Sequence, residues 1–329
     1  MSKVSTKKIT SIGGSALIEG IMMRGPKRTT VCVRTGENEI YSEDIKMTTI
    51  PEKCKLFKLP LLRGIAGLID SMRLSYKSLM LSADKAVEAG EVEEEEPTKF
   101  EKWLDEKFGD KLVKIVMVIA SVLGVALAVA LFFFLPSFLF DLTAKAVPVF
   151  QGSGEGAVFW KSVFEGVLKI VLFLGYIVLC SQMTEMKRVF MYHGAEHKTI
   201  FCYENEEELT VENVRKQIRF HPRCGTSFMV LMLIVGIVIG LFIPVAPFGI
   251  GFLRPVFKIL LLPVSCGVGY ELIKICGKHD NAFTRFIAAP GLWAQRITTK
   301  EPDDKMIEVA IEAMKAVIPD DGTDILNSK

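Results

Sequence analysis

The chain has 329 residues, half of them hydrophobic, and a formal net charge of only +2. With its positive mean hydropathy, this composition excludes an ordinary soluble protein and indicates a membrane class. The small charge and the lack of a recognition module argue against nucleic acid as a partner, so the lipid bilayer is the partner expected first.

Residues 1–83 predict a small cytoplasmic region that contains both strands and helix. The apolar run 12–26 is interrupted by glycines, which permit a turn or the close approach of a ligand. Their spacing does not match a phosphate-binding fingerprint. Segments 30–34 and 39–45 predict a short hairpin. Segment 60–83 carries an apolar stripe at helical spacing and predicts an amphipathic helix, which lies in the inner membrane interface, covers the spans or packs on a soluble core.

Residues 84–111 form an acidic linker and an interfacial aromatic helix, and four apolar segments follow. Two of these segments belong to a region at 112–181 and two to a region at 227–276. Runs of about 20 apolar residues suit a bilayer-spanning helix. The four segments predict spans at 112–135, 163–180, 228–243 and 256–276.

The distribution of lysine and arginine predicts the orientation of these spans. Basic residues cluster before the first span, between the second and third spans at 182–226, and after the fourth span at 277–329. Because such residues are retained on the cytoplasmic side, we expect both termini to lie in the cytoplasm of a cell-membrane protein. The predicted fold is therefore mainly α: a polytopic helical membrane protein with about four transmembrane helices, a small cytoplasmic α+β N-terminal region and a cytoplasmic loop that carries a metal site.

That loop, 182–226, contains the most informative motif of the chain. His193 and His197 lie four residues apart, with Glu196 beside them. On a helix, residues four apart share one face, so both imidazoles can bind one cation. The order His-x-x-Glu-His is the inverse of the common zinc-protease helix, in which the glutamate serves as general base. A plain pair of hydrogen-bonded histidines is the alternative.

Further ligands are predicted near the inner ends of the spans. His221 and Cys224 form a His-x-x-Cys turn that ends in glycine, and Glu271 is a carboxylate inside the fourth span, where it needs a function or a partner such as Lys274. Zinc fits imidazole and thiolate ligands, whereas Glu271 as a third ligand would also suit iron or manganese. His279 with its neighbouring aspartate fits a polar turn better than a ligand. The seven cysteines, without clustered spacing, predict free thiols.

Several motifs together resemble the YqhQ-like family of uncharacterised bacterial multi-pass membrane proteins. They are GGSA at 13–16, MMRGP at 22–26, HGAEHK at 193–198, CYE at 202–204, HPRCGTSF at 221–228, PGLWAQ at 290–295 and TTKEP at 298–302. The resemblance implies a membrane protein that is a predicted metal-dependent enzyme. Ser15 stands where a glutamine is usual in the family, which weakens any ligand role for that side chain.

Two functions remain open on this basis. In the first, His193, His197 and one further ligand hold zinc with an open position, Glu196 is the catalytic base, and a peptide or lipid-linked amide or ester is hydrolysed at the inner face of the membrane. Arg223 or His221 would stabilise the oxyanion. In the second, His193, His197, His221 and Cys224 fill all four positions, so the ion is structural and the protein is a scaffold or assembly factor for other membrane proteins.

Overall fold

The computed structural model describes residues 7–37, 39–90, 115–116, 118–152, 154–278 and 281–328. The strands are β1 (Lys8–Thr10), β2 (Gly13–Leu17), β3 (Gly20–Arg24), β4 (Thr29–Arg34), β5 (Ile40–Asp44) and β6 (Ile325–Ser328). The helices are α1 (Ile50–Lys53), α2 (Leu62–Glu88), α3 (Val118–Ala144), α4 (Glu155–Cys180), α5 (Thr184–Glu204), α6 (Val211–Lys216), α7 (Gly225–Gly240), α8 (Leu253–Leu260), α9 (Leu262–Lys278), α10 (Ala282–Thr298) and α11 (Asp304–Val317). The chain divides into two compact units, Met1–Val92 with Leu174–Met232 and Cys266–Lys329, and Glu93–Phe173 with Leu233–Ser265.

The first unit is built on an antiparallel sheet in the order β2-β3-β4-β5. The glycine-punctuated run becomes the β2–β3 hairpin, and the predicted hairpin corresponds to β4–β5. Successive side chains of a strand point to opposite faces. Ile21, Met23 and Cys32 therefore join α5 and α11 in one core, while Met22 and Val31 lie in a separate core with Leu74 of α2. The sheet is covered by helices on both faces.

Helix α11 is held at its start by a side-chain cap. The Asp303 carboxylate accepts a hydrogen bond from the Met306 backbone N–H at 2.8 Å, which satisfies one of the free donors of the first turn. The buried face of the helix includes Ile307, Ala310 and Met314, each fully inaccessible to solvent. Helix α11 is thus a core element of the first unit.

Helix α2 packs through Leu74 and a set of small residues, and not through the predicted apolar stripe. Ala66, Ser78 and Ser82 are fully buried, whereas Met72 and Tyr76 of the predicted stripe are about two-thirds exposed. Small side chains allow the close approach of neighbouring backbone, and a Cβ added to Gly64 of this helix would lie 2.8 Å from the Tyr270 side chain. The apolar stripe therefore does not pack on a soluble core among the described residues, and its insertion into the membrane interface stays a prediction.

The apolar helices fit a bilayer environment. Fewer of them are long enough to span a membrane than the four spans predicted from the sequence. Within the described residues, α3 and α4 are long and apolar enough to cross a membrane. Helices α8 and α9 form a pair bent by 46°, which brings the number to three if the pair is one span. The predicted span 228–243 corresponds to α7, which has only 16 residues and ends before two prolines. That length is below the ~20 residues a span needs.

The second unit buries charged side chains between its helices. Glu165 of α4 forms an ion pair with Lys258 of α8, and both side chains are at least nine-tenths buried. Arg254, one helical turn before Lys258, donates to the carbonyl groups of Ile243 and Gly240. The Ile243 carbonyl lies beyond the end of α7, where helical partners are missing, and the Gly240 carbonyl at the end of the helix also accepts a bond from the Ile243 N–H at 3.3 Å. The arginine thus satisfies polar backbone atoms in apolar surroundings.

Breaking the Glu165–Lys258 pair from one side is expected to destabilise the protein strongly. Glu165→Gln leaves the Lys258 ammonium buried without its counter-ion, a change that costs about 3–5 kcal/mol in comparable buried pairs. The double variant Glu165→Gln, Lys258→Met removes this pair but leaves the fully buried Arg254, whose Nε lies 3.5 Å from Glu165 Oε1 in the wild type, without a carboxylate, so it should recover only part of this loss. Unfolding temperatures of the detergent-purified proteins check the expected order of stability, in which the wild type is most stable and the single variant least stable. A single variant as stable as the double variant would show that the pair is not buried.

Candidate metal centre

Helix α5 carries both histidines of the motif on one face. The ring centroids of His193 and His197 are 4.4 Å apart, as expected for side chains separated by one helical turn. Cys224 comes from the turn before α7, and its Sγ lies 3.2 Å from His193 Nε2. One ligand atom from each of the three residues lies within 4.8 Å of the other two. The three side chains therefore form a compact potential metal site.

Backbone carbonyls fix the orientation of both rings. His193 Nδ1 donates to the Thr298 carbonyl at 2.8 Å, and His197 Nδ1 donates to the Arg219 carbonyl at 2.5 Å. Because a carbonyl oxygen only accepts, each Nδ1 carries a hydrogen and each Nε2 is the atom available to a metal. A second hydrogen-bond partner of this kind is usual for histidine ligands and holds the ring in place.

The charges of the cluster favour a thiolate at Cys224. Burial alone opposes ionisation of this thiol, but the adjacent His193 and His197 hold its pKa well below the usual value. Burial also lowers the pKa of His193, but the sulfur of Cys224 outweighs this effect and raises the pKa to about 9. The thiolate is the metal-binding form of cysteine, and a metal ion that binds here would displace the proton of His193.

Glu196 is buried beside the cluster. Its Oε1 accepts a hydrogen bond from the Gly14 backbone N–H at 3.0 Å, and only 5% of the residue is exposed. Burial raises the pKa of this carboxyl above its usual value. A Cβ on Gly14 would lie 3.0 Å from the Glu196 carboxyl carbon and 2.7 Å from a backbone oxygen of β3. Glycine at this position therefore allows the strand to approach the carboxylate.

Comparison with known proteins identifies the family to which this chain belongs. The family model described as "Protein of unknown function (DUF1385)" matches residues 59–320. The chain belongs to this family. It is also 33% identical over 307 residues to the "Uncharacterized protein YqhQ" of Bacillus subtilis (strain 168), an alignment that covers 93% of this chain and 92% of that protein. No solved structure matches the chain.

His221 lies near the cluster in this DUF1385 member, but its nitrogens face other partners. Its ring centroid is 5.5 Å from that of His197, while its Nε2 lies 3.9 Å from the Glu204 carboxylate and 3.2 Å from a guanidinium nitrogen of Arg223. Burial lowers the pKa of His221 to about 4, so the ring is neutral at physiological pH. The structure does not bring His221 into the group formed by His193, His197 and Cys224.

Arg223, which the sequence suggested for oxyanion stabilisation, is engaged by other groups. Its guanidinium pairs with the Glu204 carboxylate and donates to the Thr10 carbonyl. Burial opposes ionisation of Glu204, but His221 and Arg223 hold the pKa of this carboxyl below its usual value. These contacts tie the 221–224 turn to helix α5 and strand β1.

Glu271 also lies apart from the cluster. Its carboxylate accepts two hydrogen bonds from Arg63 of α2, one of them at 2.6 Å from Nε. Arg63, and not the Lys274 suggested by the sequence, is thus its principal partner. The two remaining candidates from the polar turn, His279 and Asp280, lie outside the described residues.

Gln295 of α10 is a positioning residue that the sequence interpretation did not single out. Its amide accepts from the His221 backbone N–H and donates to the His221 carbonyl, both at 2.7 Å. It also donates to Ser227 Oγ at 2.8 Å. A fully buried glutamine that bonds both sides of the turn fixes the backbone that presents Cys224. The sequence signal was an amide at helical spacing from the small residues Gly291 and Thr298, which are also buried.

Proposed function

We propose that this DUF1385 protein is a zinc-dependent hydrolase that acts on a peptide or lipid-linked amide or ester at the cytoplasmic face of the cell membrane. The observation that carries the proposal is the pair of imidazoles on α5, each oriented by a backbone carbonyl, with the Cys224 sulfur 3.2 Å from His193 Nε2. Two imidazoles and a thiolate suit zinc better than hard oxygen-preferring cations.

The number of converging ligands favours a catalytic site over a closed structural site. Catalytic zinc sites combine three protein ligands with one open position, whereas structural sites use four. His193, His197 and Cys224 supply three. A zinc ion held there would lower the pKa of a bound water molecule and polarise a substrate carbonyl.

Glu196 is assigned the proton transfers of the reaction. Hydrolysis forms a bond between the water oxygen and the carbonyl carbon and breaks the bond to the leaving amine or alcohol. The Glu196 carboxylate takes one proton from the water and passes it to the leaving group. Its burial, its raised pKa and the hydrogen bond from Gly14 suit a carboxylate that holds a proton between these two steps.

A structural ion in a scaffold or assembly factor is the second candidate function. The nearness of the His221 and His197 rings, 5.5 Å between centroids, is the observation that favours it. This alternative requires the His221 ring to turn away from Glu204 and Arg223 before it becomes a fourth ligand. A cytoplasmic location for both termini is part of either proposal and is supported by the distribution of basic residues.

Substitution of Glu196 tests the hydrolase proposal. Glu196→Gln preserves the size of the side chain but removes its basicity, so metal content should be unchanged while hydrolysis falls by about 100-fold or more. We would incubate protein in lipid nanodiscs with a membrane extract in water enriched in heavy oxygen and detect labelled carboxyl products by mass spectrometry. Hydrolysis adds one labelled oxygen to each new carboxylate, whatever the substrate.

The matched control is Glu185→Gln, which makes the same substitution at an exposed glutamate in the first turn of the same helix. Labelled products from wild type and Glu185→Gln, but not from Glu196→Gln, are expected. Equal labelling by wild type and Glu196→Gln would contradict the role of Glu196. No labelling by wild type with zinc bound would favour the scaffold.

A further inference from the structure

Helix α10 presents an exposed aromatic face. Phe283, Phe286 and Trp293 are 64%, 79% and 53% exposed. Spacings of three and seven residues place these side chains on one side of the helix. Arg296, one turn after Trp293, is exposed as well. Three large aromatic side chains beside a basic residue form a contiguous apolar patch with a charged border, and such a patch marks an interaction surface.

The opposite face of α10 supports the metal centre. Gly291 packs so closely on α7 that an added Cβ would lie 2.6 Å from Ser227. Gln295 bonds both sides of the turn before α7, and the Thr298 carbonyl holds His193 Nδ1. Gly291, Gln295 and Thr298 follow one another at intervals of four and three residues, so they share a face. A single helix therefore joins the aromatic patch to the proposed zinc ligands.

The neighbours of α10 associate this patch with a membrane surface. Helix α10 begins four residues after α9 ends, and the α8–α9 pair is long and apolar enough to form one bent span. The close contact at Ser227 lies in the first turn of α7, an apolar helix of 16 residues. Aromatic side chains are enriched where a helix meets the bilayer surface, and nearby basic residues attract anionic headgroups. Continuity with a span, aromatic composition and charge thus favour one occupant, the bilayer.

We infer that the aromatic face of α10 inserts into the cytoplasmic surface of the bilayer and holds the metal centre next to the lipid headgroups. A helix with its side chains is about 10–12 Å across, so groups on its opposite face lie roughly that far from the inserted patch. The insertion itself does not depend on catalysis. A second step rests on the proposed hydrolase function: the amide or ester that is cleaved belongs to a substrate anchored in the same bilayer.

Tryptophan fluorescence tests the insertion. The chain has three tryptophans, so the double variant Trp103→Phe, Trp160→Phe leaves Trp293 as the single reporter. We would place this full-length protein in nanodiscs of phosphatidylglycerol and phosphatidylcholine that carry bromine on the upper acyl carbons. Bromine quenches tryptophan on contact, so Trp293 should lose most of its emission relative to nanodiscs without bromine. Acrylamide, which stays in the water, should cause little loss.

A reporter on α11 is the matched control. Lys315 is exposed on that helix, and Lys315→Trp combined with replacement of all three native tryptophans by phenylalanine moves the single reporter there. Acrylamide should quench this reporter, and brominated lipid should not. Quenching of Trp293 by acrylamide would overturn the inference, because the patch would then face water. Shielding of Trp293 from both quenchers would also overturn it, because a second copy or another segment of the chain would then cover the patch.

The labelled-oxygen assay separates the anchored substrate from the hydrolase proposal itself. Wild-type nanodiscs would receive either washed membranes or the soluble fraction of the same cells. Labelled carboxyl products are expected with the membranes only. Equal labelling with the soluble fraction would overturn the anchored substrate while it supports hydrolysis. No labelling with either fraction would contradict the hydrolase and its substrate together, and quenching of Trp293 would still decide whether α10 inserts.

Discussion

Cys224→Ser is expected to remove zinc from the purified protein. A serine hydroxyl is not a thiolate at neutral pH, so the site loses its anionic ligand and the charge that stabilises a cation between the two imidazoles. Loss of a mere hydrogen-bond partner of a ligand weakens metal affinity by about 10–100-fold, and loss of a ligand should exceed that range. His193→Ala should have the same effect. Metal per chain, measured by mass spectrometry after dialysis against a zinc buffer, checks both.

Two matched controls separate ligation from general damage. Cys202 is a fully buried cysteine on α5 whose sulfur contacts the carbonyls of Glu207 and Glu208, and Cys202→Ser should keep zinc. His221→Gln should also keep zinc if three ligands suffice. Loss of zinc in His221→Gln with an unchanged circular dichroism spectrum would instead support the closed, four-ligand site. Retention of zinc in Cys224→Ser would remove this thiol from the ligand set.

The helix motif was predictable because its geometry is local. The spacing of His193 and His197 is enough to place both rings on one face of any α-helix, and the structure has them on α5. The choice between Cys224, His221 and Glu271 was not predictable in the same way. It depends on how segments distant in sequence pack, and the Arg63–Glu271 pair joins residues 208 positions apart.

The contact between the β2–β3 hairpin and helix α5 is a second feature that the sequence does not predict. The glycines of segment 12–26 indicated either a turn or a close approach, and the structure shows the close approach: Gly14 lies against Glu196. None of these glycines has a positive φ, and the turn of the hairpin is made by Ile18 and Glu19, with Glu19 at a φ of 50°. No local pattern indicates that a strand of the N-terminal region lies against a helix nearly two hundred residues later, because that contact is made by tertiary packing alone.

The apolar character of the membrane region was predictable, but the pairing of its buried charged side chains was not. Hydropathy located α3 and α4 because long apolar runs average out single charges. The same averaging concealed that Glu165 and Lys258 pair with each other. Spacing in a sequence gives the face on which a charge lies, whereas the identity of its partner depends on which helices are neighbours.

Gly194→Ala should destabilise the first unit, although helix propensity alone predicts the opposite. In an exposed helix this change stabilises by about 1 kcal/mol. Here the added methyl carbon would lie 2.0 Å from the Lys300 carbonyl oxygen. Lys300 is also fixed to α5 by a 2.8 Å hydrogen bond from its N–H to the Phe190 carbonyl, so the clash involves constrained backbone. We expect a net loss of about 2 kcal/mol or more, seen as a lower unfolding temperature.

Gly67→Ala on α2 is the matched control, because its added methyl would make only an ordinary 3.7 Å contact with Tyr270. This variant should be as stable as wild type or more so.

The Gly194 substitution has a second consequence, which concerns zinc binding. Lys300 follows two residues after Thr298, whose carbonyl holds His193 Nδ1. Displacement of this segment should weaken zinc binding by about 10–100-fold. A stable Gly194→Ala protein with unchanged zinc affinity would show that the 298–302 segment neither packs against α5 nor orients the ligand.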